Sequence, residues 1–93
     1  MSLEELFLGN LRNWKKHCES SDDYLDCDAY YNLVIYGSEM LPFVKKYSDE
    51  VPEGFLGKLV SDIIGDFEIP EEIRGKVSEI EKYTAKWLEE NVE

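Results

Sequence analysis

Apolar positions recur along most of this chain at steps of three and four. That spacing lays a single stripe along a helix. Leu3, Leu6, Phe7, Leu11, Trp14 and Cys18 make the first stripe. Ser2, followed by Glu5, predicts a capping box at its start. Arg12, Lys15, Lys16 and His17 suit the negative end of the helix dipole. Gly9 weakens the first half, since glycine costs about 1 kcal/mol against alanine there. Ser20-Ser21-Asp22-Asp23 breaks the pattern. A second helix is expected from an N-cap at Asp28, with Tyr30, Leu33 and Val34 facing inward and Gly37 ending it. Ser38 is expected to cap a third helix at once, with Pro42 in its first turn and Leu41, Val44 and Tyr47 inward.

Ser48-Asp49-Glu50-Val51-Pro52 is the next break. Phe55, Leu59, Ile63 and Ile64 predict a fourth helix that stops at Gly65. Phe67 and Ile69 are expected to anchor a short connection. Pro70, Glu71 and Glu72 then carry the signals of a helix start. This last helix is expected to run to about Glu90, with Ile73, Val77, Ile80, Trp87 and Leu88 inward and Tyr83 on the edge. Strand-like alternation is not sustained in any window. The expected fold is all-α: one domain over residues 1–93, about five helices, packed as helical hairpins in a HEAT-like manner.

At 93 residues the chain suits one domain with a core that needs no staples. Charge changes the picture most. Twenty-one acidic residues face ten basic ones, for a net charge of -11. Such a balance disfavours a nucleic-acid backbone or an anionic membrane as partner. No apolar run reaches a membrane-spanning length. The start, Met1-Ser2-Leu3-Glu4-Glu5, lacks the basic-then-apolar order of a signal peptide. Two cysteines are too few for a disulfide framework. A cytoplasmic location is therefore expected.

Candidate chemistry is thin. His17 is the single histidine, and no serine sits in a G-x-S-x-G context. His17-Cys18 and Cys27-Asp28 are adjacent pairs, whereas zinc ligands come in pairs spaced by two to four residues. In either register, starting at Asp22 or Asp26, a calcium loop places tyrosine or cysteine where oxygen ligands or glycine must stand. Gly54 and Gly57 lack the lysine and hydroxyl residue of a phosphate loop. Carboxylate pairs such as Glu68 and Glu72 arise by chance at this acid content. No catalytic residue, metal or cofactor is expected.

The acids are unevenly placed. Between Lys16 and Lys45 stand Glu19, Asp22, Asp23, Asp26, Asp28 and Glu39, with no lysine or arginine among them. Asp62, Asp66, Glu68, Glu71 and Glu72 form a second run before Arg74. Tyr24, Tyr30, Tyr31 and Tyr36 lie in or beside the first run, and Tyr31 falls off the inward stripe. Two readings stand side by side: a solvated face that keeps the chain soluble, and a docking surface with aromatic anchors for a basic partner.

The landmarks Tyr30, Gly37, Leu41-Pro42, Ile64-Gly65, Ile69-Pro70, Arg74-Gly75 and Trp87-Leu88 resemble those of a group of small bacterial proteins of unknown function. Members of that group occur near mobile elements and toxin–antitoxin-like loci. Where the group has an aromatic pair near the fourth helix, this chain has Gly54-Phe55. The chain is also similar in type to bacterial immunity proteins: small, acidic, helical and stoichiometric. That likeness implies a non-enzymatic inhibitor that covers a basic toxin, such as a nuclease domain. Asp22, Asp23, Tyr24, Asp26, Asp28, Tyr31 and Glu39 are the candidate contacts, joined by Asp62 and Asp66. The alternative is an acidic adaptor or nucleic-acid mimic, of the kind a phage uses against a host defence nuclease. An enzyme is the third class.

Overall fold

In a computed structural model of the chain, which describes residues 2–92, every regular element is helical. The five α-helices are α1 (Leu3–Ser20), α2 (Asp28–Ile35), α3 (Leu41–Lys46), α4 (Leu56–Ile64) and α5 (Val77–Asn91). Short 3₁₀ turns stand before α3, after α3 and before α5. The helices pack chiefly as α1 on α2 and α4 on α5, with α2 against α4 and α3 against α5.

The α1 capping box is present. Ser2 Oγ accepts from the Glu5 amide at 3.1 Å, and Glu5 Oε1 accepts from the Ser2 amide at 3.3 Å. Phe7, Leu11 and Trp14 carry the buried stripe of α1, while Leu3 and Leu6 lie at its margin. The core continues through Tyr30, Leu33, Met40, Val44, Leu59, Val60 and Leu88 in one contiguous cluster. Among the described residues no buried side-chain polar atom lacks a hydrogen bond.

Several boundaries differ from the sequence reading. Cys27, not Asp28, is the N-cap of α2, and it makes no side-chain capping bond. Gly37 does end α2, at φ +71°, a left-handed conformation that favours glycine. Ser38 does not cap a new helix: Gly37–Met40 forms a 3₁₀ turn that runs straight into α3. The largest shift is in α5. Pro70, Glu71 and Glu72 start only a 3₁₀ turn, Glu71–Ile73, and Gly75 at φ +86° interrupts the path before α5 begins at Val77. Val77 is consequently 56% exposed, and Trp87 is half-buried. The fully buried face of α5 is Thr84 and Leu88. Trp87 instead packs edge-on against Phe67, with ring centroids 5.1 Å apart, and Phe67 also meets Tyr83 at 5.9 Å. Phe67 thus anchors the connection as expected.

The α4–α5 crossing rests on two features. α4 has no local side-chain cap. Its first amides are met from α5 by Glu81, whose carboxylate accepts from the Leu56 and Gly57 N–H groups at 3.0 and 2.9 Å. A carboxylate at a helix N-terminus satisfies orphan donors and complements the dipole. The helices also approach closely at Gly57. A Cβ there would stand 2.6 Å from Ile80 Cγ2 and 3.2 Å from Thr84 Oγ1. Both neighbours are β-branched, hence stiff at χ1. Thr84 is further fixed by donating to the Ile80 carbonyl at 2.7 Å.

Two glycine substitutions should therefore act in opposite directions. Gly9 lies in α1, and a Cβ added to it would meet nothing within 4 Å. Gly9→Ala should stabilise by roughly 0.5–1 kcal/mol through helix propensity. Gly57→Ala should destabilise by about 1–3 kcal/mol, because overpacking outweighs propensity. Calorimetry should show the two melting temperatures moving apart by several degrees. Equal shifts would mean the α4–α5 approach is looser than this.

Candidate functional site

The acid-rich loop between α1 and α2, residues 21–27, is held to the body by backbone and side-chain bonds. Trp14 is fully buried in α1, and its indole N–H donates to the Tyr24 carbonyl at 2.8 Å. One turn later, His17 Nε2 donates to the Asp23 carbonyl at 2.7 Å. Asp23 Oδ1 accepts from the Leu25 and Asp26 amides at 3.3 and 3.2 Å, an Asx-type turn. The Tyr24 ring rests on Phe55 at 5.4 Å, and Leu25 packs against the core. His17 is thus both in the last turn of α1, where a cation favours the dipole, and a clasp on the loop.

α2 follows with two different faces. Ala29, Tyr30 and Leu33 face inward. The Tyr30 ring lies 4.8 Å from that of Trp14, which in turn meets Phe55 at 6.1 Å. The Tyr30 hydroxyl donates to Asp62 on α4. Burial, and then the Asp62 carboxylate beside it, push the Tyr30 phenol far above its usual range. On the other face Tyr31 is 63% and Ile35 62% exposed, and Tyr36 follows at 39%. Asp28, Tyr31 and Ile35 stand at i, i+3 and i+7, one line along the helix.

The sequence-predicted residues therefore separate into three groups. Asp22, Asp23, Tyr24 and Asp26 are exposed on the clasped loop, and Asp28 and Tyr31 continue from it onto the outer face of α2. Glu39 is exposed on the 3₁₀ turn beyond the other end of α2. Asp62 has a different role: it accepts from Tyr30 and pairs with Lys58 at 3.1 Å, so it is engaged within the fold. Asp66 lies past the end of α4, exposed on the connection, and nothing ties it to the loop. Ile35 is not among the expected residues, yet it is as exposed as Tyr31. The helical period exposes it, since it lies four residues beyond Tyr31 on the face opposite Leu33.

Lys16 and His17 share a surface recess with Asp28, yet neither pairs with it. Among the described residues, the ion pairs are Lys15–Glu50, Lys46–Glu4, Lys58–Asp62 and Lys86–Glu90. None involves a carboxylate between Glu19 and Glu39. Elsewhere the charges are used inside the molecule. Hydrogen bonds from Lys46 and Tyr47 hold the Glu4 carboxyl below its usual range, tying α1 to the end of α3.

Burial, and then the neighbouring Cys27, raise the Cys18 thiol, which disfavours its nucleophilic thiolate form. Among the described residues no group of three or more His, Cys, Asp or Glu side chains gathers as a metal site. Nor is any helix among them long and apolar enough to cross a membrane. Comparisons with family models, curated proteins and solved structures find no match.

The Tyr30–Asp62 bond has a pH signature. A phenol raised in the folded state contributes stability that is complete below its unfolded value of about 10 and is lost as pH rises through the folded one. Chemical denaturation between about pH 8 and 11 should show wild type losing stability with a steeper slope than Tyr30→Phe. The difference should reach up to about 1.4 kcal/mol per pH unit, the limit for one proton. Parallel slopes would mean that Tyr30 ionises as freely in the fold as in the open chain.

Proposed function

We propose that this protein is a non-enzymatic, protein-binding inhibitor of the immunity or antitoxin type, acting in the cytoplasm. It covers a basic surface on a toxin, such as a nuclease domain, with residues 22–36. The observation that carries this reading is the outer face of α2. Tyr31, Ile35 and Tyr36 are exposed apolar side chains on an ordered helix and its end. Carboxylates without an ion-pair partner among the described residues stand on both sides of them. An apolar centre with a charged rim is the anatomy of a protein interface, with aromatic anchors at its middle. The resemblance to small proteins found near toxin–antitoxin-like loci supports the same reading.

The carboxylates have a separable task. Like charges kept apart from counter-charges cost folding energy through mutual repulsion. They also attract a basic partner at long range and speed its capture, which an antidote requires. The acidic adaptor or nucleic-acid mimic is the second reading. A mimic needs charge alone, whereas exposed Tyr31 and Ile35 favour a dedicated protein partner.

The test uses the product of the neighbouring reading frame as partner. Its association rate should fall as salt rises from about 50 to 200 mM, while dissociation changes less. Asp22→Lys with Asp26→Lys should lower the on-rate without altering the helical spectrum. Asp23 is left intact because its carboxylate braces the loop. Tyr31→Ala should instead raise the off-rate by about tenfold, as loss of a central anchor does. An on-rate indifferent to both salt and the reversal would make the acidic stretch a solvated face only. The Arg12-Lys15-Lys16 side of α1 would then be the next surface to test. Equal competition by duplex DNA for several basic proteins would favour the mimic.

A further inference from the structure

We infer that the outer face of α2 selects arginine over lysine in its partner, recognising a guanidinium beside an apolar side chain. This rests on the reading of that face as the docking surface and specifies the chemistry of its occupant. The line Asp28–Tyr31–Ile35 presents, in order, a carboxylate, a phenol ring and a branched aliphatic group. All three residues are exposed, Tyr31 and Ile35 by more than three fifths. From Asp28 to Ile35 the helix rises roughly 10 Å.

Each element of the line favours one feature of the occupant. An exposed tyrosine face attracts a cation, and a planar guanidinium stacks on it where a hydrated ammonium does not. A carboxylate one turn away, at i−3, accepts the fork of N–H donors that arginine offers in bidentate fashion. Ile35, one turn further on, has nothing polar to offer and calls for an apolar group. No lysine or arginine of this chain pairs with Asp28 among the described residues, so an incoming guanidinium displaces no internal ion pair. The occupant is therefore a segment of a basic protein that carries an arginine and an apolar side chain about 6 Å apart along the line, the rise from Tyr31 to Ile35. The surrounding Asp22, Asp26 and Glu39 attract any cation and are indifferent to which one. Selectivity between the two basic residues comes from the Tyr31 face and Asp28.

Two synthetic helical peptides serve as the probe. They are identical except that one carries arginine and the other lysine, each with a leucine four residues away. Titration of the full chain, followed by its amide chemical shifts, reports both affinity and location. The arginine peptide should bind about two- to threefold more tightly, a part of an exposed cation–π contact, because lysine makes a weaker one. Its shifts should centre on Asp28, Tyr31, Asn32 and Ile35. Tyr31→Phe should keep the preference, Tyr31→Ala should weaken it, and Tyr31→Ala with Asp28→Asn should abolish it with the fold intact, since both side chains are exposed. Equal affinity of the two peptides at this face overturns arginine selection and leaves the docking surface standing. Shifts that fall elsewhere, or no binding by either peptide, overturn the docking surface and the selection with it.

Discussion

The buried indole of Trp14 is the contact on which the candidate surface depends. Its ring meets Tyr30 of α2 and Phe55 at the start of α4, and its N–H holds the Tyr24 carbonyl of the loop. One side chain thus joins α1, the loop, α2 and the entry to α4. Burying such a ring removes a large apolar area from water, and burying its N–H demands a partner. The partner lies in the most acidic part of the chain. Repulsion among Asp22, Asp23, Asp26 and Asp28 works to open that region. The Trp14 bond, the His17 bond and the Asp23 turn oppose it. The acids are consequently displayed on a held backbone, and α2 is fixed so that Tyr30 points in and Tyr31 points out.

The α4–α5 crossing solves a different problem. α4 is short, nine residues, and lacks a cap of its own. Short helices draw most of their stability from tertiary packing. Glu81 supplies the cap across the interface, and Gly57 lets α5 come close enough to do so. α4 in turn carries Asp62, which receives the Tyr30 hydroxyl. The orientation of α2 is therefore supported from both sides, by Trp14 in α1 and by the α4–α5 pair through Asp62. A face held in this way would give up little conformational freedom to a partner, which favours tight association.

Much of the fold is legible in the sequence because proline, glycine and capping residues punctuate it strongly. The Ser2–Glu5 box, the stop at Gly37 and the stop at Gly65 are local effects, and local signals report them. The start of α5 is not legible. Pro70, Glu71 and Glu72 are real helix-start signals, but they serve a 3₁₀ turn, and only the left-handed conformation of Gly75 shows that the path then breaks. A stripe drawn from Ile73 begins too early and puts Val77 and Trp87 in the core, whereas Thr84 and Leu88 face it. The site is half legible. The acid-only run and outward Tyr31 follow from counting and from the helical period. Ile35 follows from the same period, yet an isoleucine beside an inward stripe reads as core. The engagement of Asp62 is out of reach, since its partner Tyr30 is thirty-two residues away. The same holds for Gly57, whose close approach to Ile80 and Thr84 exists only in three dimensions.

If Trp14 holds the loop and α2 in a preformed, outward-displaying arrangement, losing its N–H should loosen that region first. Amide hydrogen exchange of Trp14→Phe tests this most directly, because phenylalanine keeps an aromatic core group but removes the N–H that holds Tyr24. Protection should fall selectively at Leu25, Asp26, Cys27 and Tyr31, whose amides are hydrogen-bonded there, while the α5 amides around Thr84 and Leu88 lose only what global stability loses. A uniform loss across all helices, or an unchanged loop, would contradict it.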